Sequence, residues 1–412
     1  MPAQRLSGRL LAVLGALLLA FAAGEVFARL RFPSLSHRGF VHPGLGWASK
    51  EFMAFDPATD GAAEDELRIL FLGDSYLAGG GLKGAARRFS TVLERTIADQ
   101  VEVRVLASPG WGTDQELLAF LLKGQAWRPD VVVVAFCTNN DLQNIYCSKQ
   151  SAKKPFFLLD GEGRLRLHDS EGAPVESFAA GDEVRDPFQS YLLDLVRITL
   201  RSGGEEPGAV PTPALAGAEG RAQGGGEEGV QRVDVRGNLV AETPIERLRS
   251  VWELQPELDW SPQLGLNEVN AYIHEDFELN AGQWRLEEAL LASLRDHAAA
   301  AGARLVVMLV PTTIKARDLR FVVGNDLEHR FETPDGPFTL RSREPQERLR
   351  AICERLGVDF FDPSAAFIAT CAEGGLEEEF WPMELDRHFA EPAHAFLGAE
   401  LHRYLRGLGL VR

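Results

Sequence analysis

The chain reads as an α/β protein built on a parallel sheet, and three observations lead there. Short apolar runs at 68–72, 101–106, 131–136, 304–310 and 358–361 alternate with stretches of helical apolar spacing. The run 131–136 is mostly valine, as expected of a strand covered on both faces. Turn-forming residues follow the first three runs at their carboxyl ends, where open α/β sheets place their ligand sites. Strands alternating with helices imply a parallel sheet with right-handed crossovers.

The first element is N-terminal. Arg5 and Arg9 precede an uncharged stretch from Leu10 to Gly24 that stops at Glu25. A basic start followed by an apolar run is the pattern of an export segment. The run is slightly short for a bilayer core of about 30 Å. Val26, Phe27, Ala28 and Leu30 carry the apolar character past Glu25, so residues 1–32 are expected to stay attached as a signal anchor, a transmembrane helix. Cleavage in the small residues 20–24 is the alternative, leaving a secreted chain. Either way the bulk is expected on the periplasmic or extracellular side.

Residues 33–65, with Pro33, Pro43 and Pro57, read as an irregular lead-in. Residues 66–412 then form the α/β domain. Its helices are expected at 89–98, with Phe89, Val92, Leu93 and Ile97 on one face, and at 114–124, 283–301, 344–356 and 391–405. An insertion, 142–280, interrupts the alternation. It opens with a hairpin, 156–159 and 165–167, around Asp160-Gly161-Glu162-Gly163. Residues 188–200 look helical. The stretch 202–231 is rich in Gly, Pro, Ala and Glu, cannot bury enough apolar surface to order itself, and reads as a disordered loop. Tryptophan and leucine return over 243–280.

Charge and cysteines narrow the function. Sixty acids against 43 bases leave a net charge of −17. No basic patch stands out, which argues against a nucleic-acid partner. Cys137, Cys147, Cys353 and Cys371 lack metal-type spacing, and Cys137 sits in a strand pattern as a buried free thiol.

The residues that carry chemistry stand past the strands. Gly73-Asp74-Ser75 follows the first run and precedes Gly79-Gly80-Gly81. Serine becomes a nucleophile only with a base and an oxyanion site nearby. Ser108-Pro109-Gly110 follows the second run, and a glycine there lets a backbone N–H approach a ligand. Cys137-Thr138-Asn139-Asn140-Asp141 follows the third, and Asn140 can present its amide to the same space. The candidate base is His388, just before the last helix, with Asp386 two residues earlier to hold its other nitrogen. His394 is the rival, but it falls within the helical pattern, as surface or a packing contact.

In this order, the segments resemble the four blocks of the SGNH (GDSL-type) hydrolase superfamily. Those blocks are a GDS serine, a glycine, an asparagine in a G-x-N-D segment, and a C-terminal Asp/His pair. Ser75 matches the first, Gly110 the second, Asn140 the third, and Asp386 with His388 the last. The resemblance covers about residues 66–141 and 282–405. It implies a flavodoxin-like three-layer α/β/α sandwich of strand order 2-1-3-4-5, with no metal and no cofactor. It also implies catalysis by Ser75, His388 and Asp386, with an oxyanion hole from the Ser75 and Gly110 backbone N–H groups and the Asn140 amide. Two positions depart from the pattern. Thr138 stands where the third block has glycine, and the last block is D-x-H rather than D-x-x-H, with Leu385 three residues before His388. A backbone carbonyl can therefore take the place of Asp386.

The function these features imply is a serine acyl-ester hydrolase of the cell envelope. Its expected substrate is an acylated glycan or lipid, and its membrane contact is the N-terminal helix. An O-acyltransferase using the same site is the second reading. A catalytically inactive envelope-binding domain is the third.

Overall fold

A computed structural model of the chain describes residues 20–24, 26–27, 40–42, 44–58, 66–97, 100–138, 141–145, 154–169, 172–175, 271–276, 278–316, 319–322, 325–331, 337–374 and 388–412. The chain divides into two units. One is Met1–Phe40 with Arg185–Gly226, of which residues 20–24, 26, 27 and 40 are described. Residues 20–24 and 26–27 are helical, and Phe21, Val26 and Phe27 are exposed. Among the described residues no helix is long and apolar enough to cross a membrane. Most of the expected anchor, 1–19, lies outside the described residues, as do the expected helix 188–200, the loop 202–231 and residues 243–270.

The other unit, Val41–Val184 with Glu227–Arg412, contains the sheet. Its strands are β1 Leu67–Gly73, β2 Val101–Ala107, β3 Val131–Phe136, β4 Arg304–Leu309 and β5 Asp359–Phe361. They lie in the order β5-β4-β3-β1-β2, every neighbouring pair parallel. Read from the β2 edge this is 2-1-3-4-5, the order that the resemblance implies. Its helices include α1 Ser75–Ala78, α2 Phe89–Thr96, α3 Thr113–Ala119, α4 Glu278–Ala300, α5 Glu344–Leu356, α6 Ser364–Gly374 and α7 Glu391–Gly407.

Successive strand side chains point to opposite faces, and both faces are covered. Ile69, Phe71, Val131, Val133, Val306 and Met308 share one core with Phe89 and Leu93 of α2, Phe367 of α6, and Leu397 and Leu401 of α7. On the other side α3 packs against β1 and β2, α4 against β4, and α5 against β5. Leu117, Leu286, Leu290 and Leu349 are buried there. Coverage from both sides is why Val131, Val132, Val133 and Val134 are all fully buried. The expected helix 114–124 is a composite. Its α-helical part ends at Ala119, a π turn takes Phe120–Gly124, and a 3₁₀ turn takes Gln125–Trp127.

In the described part of the lead-in, residues 40–42 and 44–58, the chain is not irregular as its prolines suggest. Phe40–His42 pairs with Gly46–Ala48, and Lys50–Ala54 is a helix whose N-cap, Ser49, accepts from the Phe52 N–H. Trp47 donates from Nε1 to the Pro109 carbonyl at 2.9 Å, and Trp111 donates from Nε1 to the Trp47 carbonyl at 2.8 Å. Gln115 Nε2 donates to the Leu45 carbonyl at 2.6 Å. Lys123 Nζ donates to the carbonyls of Phe52 and Phe55, each at 2.9 Å. Leu45, Ala48 and Phe52 are fully buried, so this segment is part of the core beside the loop that leaves β2.

The hairpin of Phe156–Leu159 and Leu165–His168 forms as expected. Asp160 organises its turn by accepting from the Glu162 and Arg164 N–H groups at 2.9 Å each. Two further hairpins follow β4, Thr313–Ala316 with Leu319–Val322 and Glu328–Phe331 with Phe338–Arg341. Cys137, Cys353 and Cys371 are buried, and Cys147 lies outside the described residues.

Because the Trp47 indole is buried and donates to the loop after β2, Trp47→Ala is expected to destabilise the unit by about 3 kcal/mol. Urea denaturation followed by circular dichroism measures this. A loss below about 1 kcal/mol, the scale of a lost surface contact, would mean that the segment only rests on the domain.

Candidate active site

The register of the sheet brings three loops to one edge. Gly73, the last residue of β1, pairs with Ala107 of β2 on one side and Ala135 of β3 on the other. Ser75 is two residues past Gly73, and Gly110 three past Ala107. Ser108 N–H donates to the Gly73 carbonyl at 3.3 Å, which ties the second loop to the first.

Ser75 opens the short helix α1. Asp74 is its N-cap, with a fully buried side chain that accepts from the Tyr76 N–H at 2.8 Å. Gly79 ends the turn in the left-handed region, φ 78°. The serine is only 8% exposed. Its Oγ lies 2.8 Å from Nε2 of His388, a residue 313 positions away in sequence. The Tyr76 ring lies 5.1 Å from the His388 ring and 4.9 Å from that of Phe389. Gly80 makes the approach possible. A Cβ there would lie 2.6 Å from His388 Cδ2 and 2.8 Å from Nε2.

Gly110 sits at φ 75°, a conformation that a side chain would strain. Its carbonyl accepts from Asn144 Nδ2 at 2.6 Å, which binds the second loop to the third. In the third loop the Cys137 N–H donates to Oδ2 of Asp141, and the Asp141 N–H returns to the Cys137 carbonyl at 2.9 Å. Ser75, His388 and Gly110 are thus described. Asn140, Asp386 and Leu385 lie outside the described residues.

His394 is a core residue. It is fully buried, its Nδ1 accepts from the Phe89 N–H at 3.2 Å, and its ring stacks on Phe89. Burial, then the charges of Arg88 and His388, push its pKa down to about 3. It is a neutral packing histidine, as its place in the helical pattern implied.

Sequence reasoning missed the buried acids beneath these loops. Asp74, Asp114, Glu116, Asp141 and Glu287 are all fully buried. Burial first, then Asp74, Glu287 and Asp114, holds Glu116 well above the usual carboxylate range. Burial, then Glu116, Asp74 and Glu287, does the same to Asp141. Glu287 is pushed up to about 8, chiefly by burial. Burial raises Asp114 as well, opposed by the cation Lys154, which is 2.5 Å away and also buried. No apolar pattern marks such residues, because in sequence they look like solvated charge.

Residues 71–154 match the model of the GDSL-like Lipase/Acylhydrolase family. The match contains Ser75, Gly110 and Asn140, while Asp386 and His388 lie beyond it. No curated protein matches the chain. Among solved structures, the acetyl xylan esterase AlAXEase is similar at 10% identity over 82% of this chain and 100% of that one, TM-score 0.35. A catalytic mutant of Axe2, an acetylxylan esterase from Geobacillus stearothermophilus, is similar at 14% identity over 85% and 98%, TM-score 0.34. The psychrotrophic esterase EstA from Pseudoalteromonas sp. is similar at 11% identity over 83% and 98%, TM-score 0.33. The family match supports the resemblance to the SGNH (GDSL-type) hydrolase superfamily over the segment that carries Ser75, Gly110 and Asn140. The same match supports an ester-bond hydrolase.

Since a Cβ at position 80 would occupy the place of the imidazole edge, Gly80→Ala is expected to separate His388 from Ser75. The rate of labelling by a fluorophosphonate should fall at least about tenfold, in keeping with the loss of a positioned base. Labelling at the wild-type rate would show that the imidazole does not activate Ser75.

Proposed function

We propose that Ser75 and His388 carry out acyl-ester hydrolysis through a covalent acyl-enzyme. The observation that supports this most is the 2.8 Å contact between Ser75 Oγ and His388 Nε2 at the carboxyl end of a parallel sheet. Ser75 Oγ attacks the ester carbonyl carbon while His388 Nε2 takes its proton. The tetrahedral oxyanion accepts from the backbone N–H groups of Ser75 and Gly110 and from the Asn140 amide. Collapse expels the alcohol, which leaves with the proton from His388. Water, deprotonated by the same imidazole, then releases the acid and restores Ser75. Asp386, or a backbone carbonyl in its place, holds the His388 tautomer.

Charge balance sets a condition on this scheme. Neutral carboxyls beneath the loops spare the developing oxyanion a cluster of buried negative charge. The elevated positions of Glu116 and Asp141 favour that neutral form.

The substrate we propose is an acylated glycan or lipid of the cell envelope. The support is the charge-free run from Leu10 to Ala23 after Arg5 and Arg9, a pattern that suits an export segment or membrane anchor.

A panel of acyl esters and acetylated polysaccharides, with and without a sugar acceptor, tests the reading. Release of free acid that is abolished by Ser75→Ala, with the fold intact by circular dichroism, is the expected result. Acyl transfer to the sugar in preference to water would make the protein an acyltransferase. Turnover that survives Ser75→Ala would end the proposal.

A further inference from the structure

Thr138 is the residue at which the third block departs from its family's pattern, and the structure gives the departure a partner set. The Thr138 side chain is 1% exposed and follows directly on Cys137 at the end of β3. Its Oγ1 is hydrogen-bonded to Oγ1 of Thr312 and lies 3.4 Å from the Tyr272 hydroxyl. The Tyr272 hydroxyl is in turn 3.3 Å from Thr312 Oγ1. Tyr272 and Thr312 are fully buried, so three hydroxyls satisfy one another away from solvent.

The three come from different parts of the chain. Thr312 is three residues past the end of β4, in the next loop along the same sheet edge. Tyr272 stands near the end of the 142–280 insertion, where Ile273 bridges to Leu340 and the His274 N–H donates to the Thr339 carbonyl at 2.9 Å. A second buried tether acts near the insertion's other end. Lys154 Nζ lies 2.5 Å from Asp114 Oδ2, and Asp114 is two residues past Gly112. Both ends of the insertion are therefore fastened by buried polar contacts near Ser75, one to the first turn of α3, just past the second loop, and one to the third loop.

We propose that Thr138 and Tyr272 are positioning residues: with Thr312, their hydroxyls set the loop that leads into Asn140 and join it to the insertion. This rests on the ester-hydrolase reading above. Glycine, the family's residue at this position, has no hydroxyl to offer. The insertion takes on part of the task of holding the oxyanion loop, and in return its own end is fixed by that loop. Misplacement of a catalytic group by about 1 Å can reduce a rate on the order of 100-fold. Loss of one of several anchors should cost less.

Steady-state kinetics on one ester substrate, with thermal melts alongside, tests the proposal. Thr138→Val keeps the shape and removes the hydroxyl, so kcat should fall about tenfold while KM stays within about twofold, the pattern of an interaction made in the transition state. Thr138→Ser should restore most of the rate. Tyr272→Phe should lower kcat by a smaller factor, and the Thr138→Val/Tyr272→Phe pair should be no worse than Thr138→Val alone, because both changes remove one network. Full kcat in Thr138→Val and Tyr272→Phe, or losses that multiply in the pair, would overturn the proposal. If Thr138→Val does not fold, Thr138→Ser and Tyr272→Phe still decide it: full kcat in Tyr272→Phe, or a Thr138→Ser enzyme as impaired as one lacking the hydroxyl, sinks it. The wild-type protein and Ser75→Ala are run in the same assay. Turnover independent of Ser75 would remove the functional reading and this inference with it, whereas Ser75-dependent turnover with unaffected variants removes this inference alone.

Discussion

Gly73 lies between Ala107 and Ala135, and that register determines where every loop of the site begins. Two residues on from Gly73 the chain presents Ser75, and three on from Ala107 it presents Gly110. A slip of one residue in a strand would turn its side chains to the opposite face. Here it would drive Ile69 and Phe71 out of the core they share with α2, α6 and α7. The apolar pattern of both faces therefore protects the geometry of the site. The same register leaves His388 to be delivered from far along the chain. The glycine turn after Ser75, the aromatic wall of Tyr76 and Phe389, and α7 behind them deliver it.

Beneath the serine the molecule accepts an electrostatic cost. Fully burying a carboxylate is strongly unfavourable, and such groups respond by holding their protons. Glu116, Asp141 and Glu287 do so, each with burial as the leading cause, and burial raises Asp114 as well, against the opposing charge of Lys154 beside it. These acids are spread over the elements that carry the site. Asp74 precedes Ser75, Glu116 lies in the helix after the Gly110 loop, Asp141 closes the third loop, and Glu287 comes from α4. Asp74 and Asp141 also serve the backbone, capping α1 and accepting the Cys137 N–H. A polar floor of this kind fixes loops that an apolar floor would let slide, since hydrogen bonds are directional.

What was legible in the sequence follows from how local each signal is. The strand runs, the turn residues after them and the helical spacing are properties of neighbours in sequence, so the five strands and Ser75 stood out. The pairing of Ser75 with His388 was legible only because a histidine follows an aspartate at the close spacing just ahead of a helix. The roles of Asn140 and Asp386 were legible through the family pattern, and both residues lie outside the described structure. The lead-in was misread because its evidence is distant: Trp47, Leu45 and Phe52 are held by Pro109, Trp111, Gln115 and Lys123, some sixty to seventy positions later. Prolines suggested irregularity, whereas the aromatic residues between them were the signal of burial. Thr138 read as a departure from a motif, since no local rule could reveal Tyr272 and Thr312 as its partners.

The central claim is that Ser75 becomes a nucleophile because His388 is held against it. The direct measurement is peptide mapping by mass spectrometry after exposure of the whole protein to a fluorophosphonate. The account requires a single adduct on the peptide bearing Ser75, formed quickly by the wild-type protein and slowly by His388→Ala, with His394→Ala nearer the wild-type rate. An adduct on a different serine, or labelling of Ser75 that does not depend on His388, would contradict it.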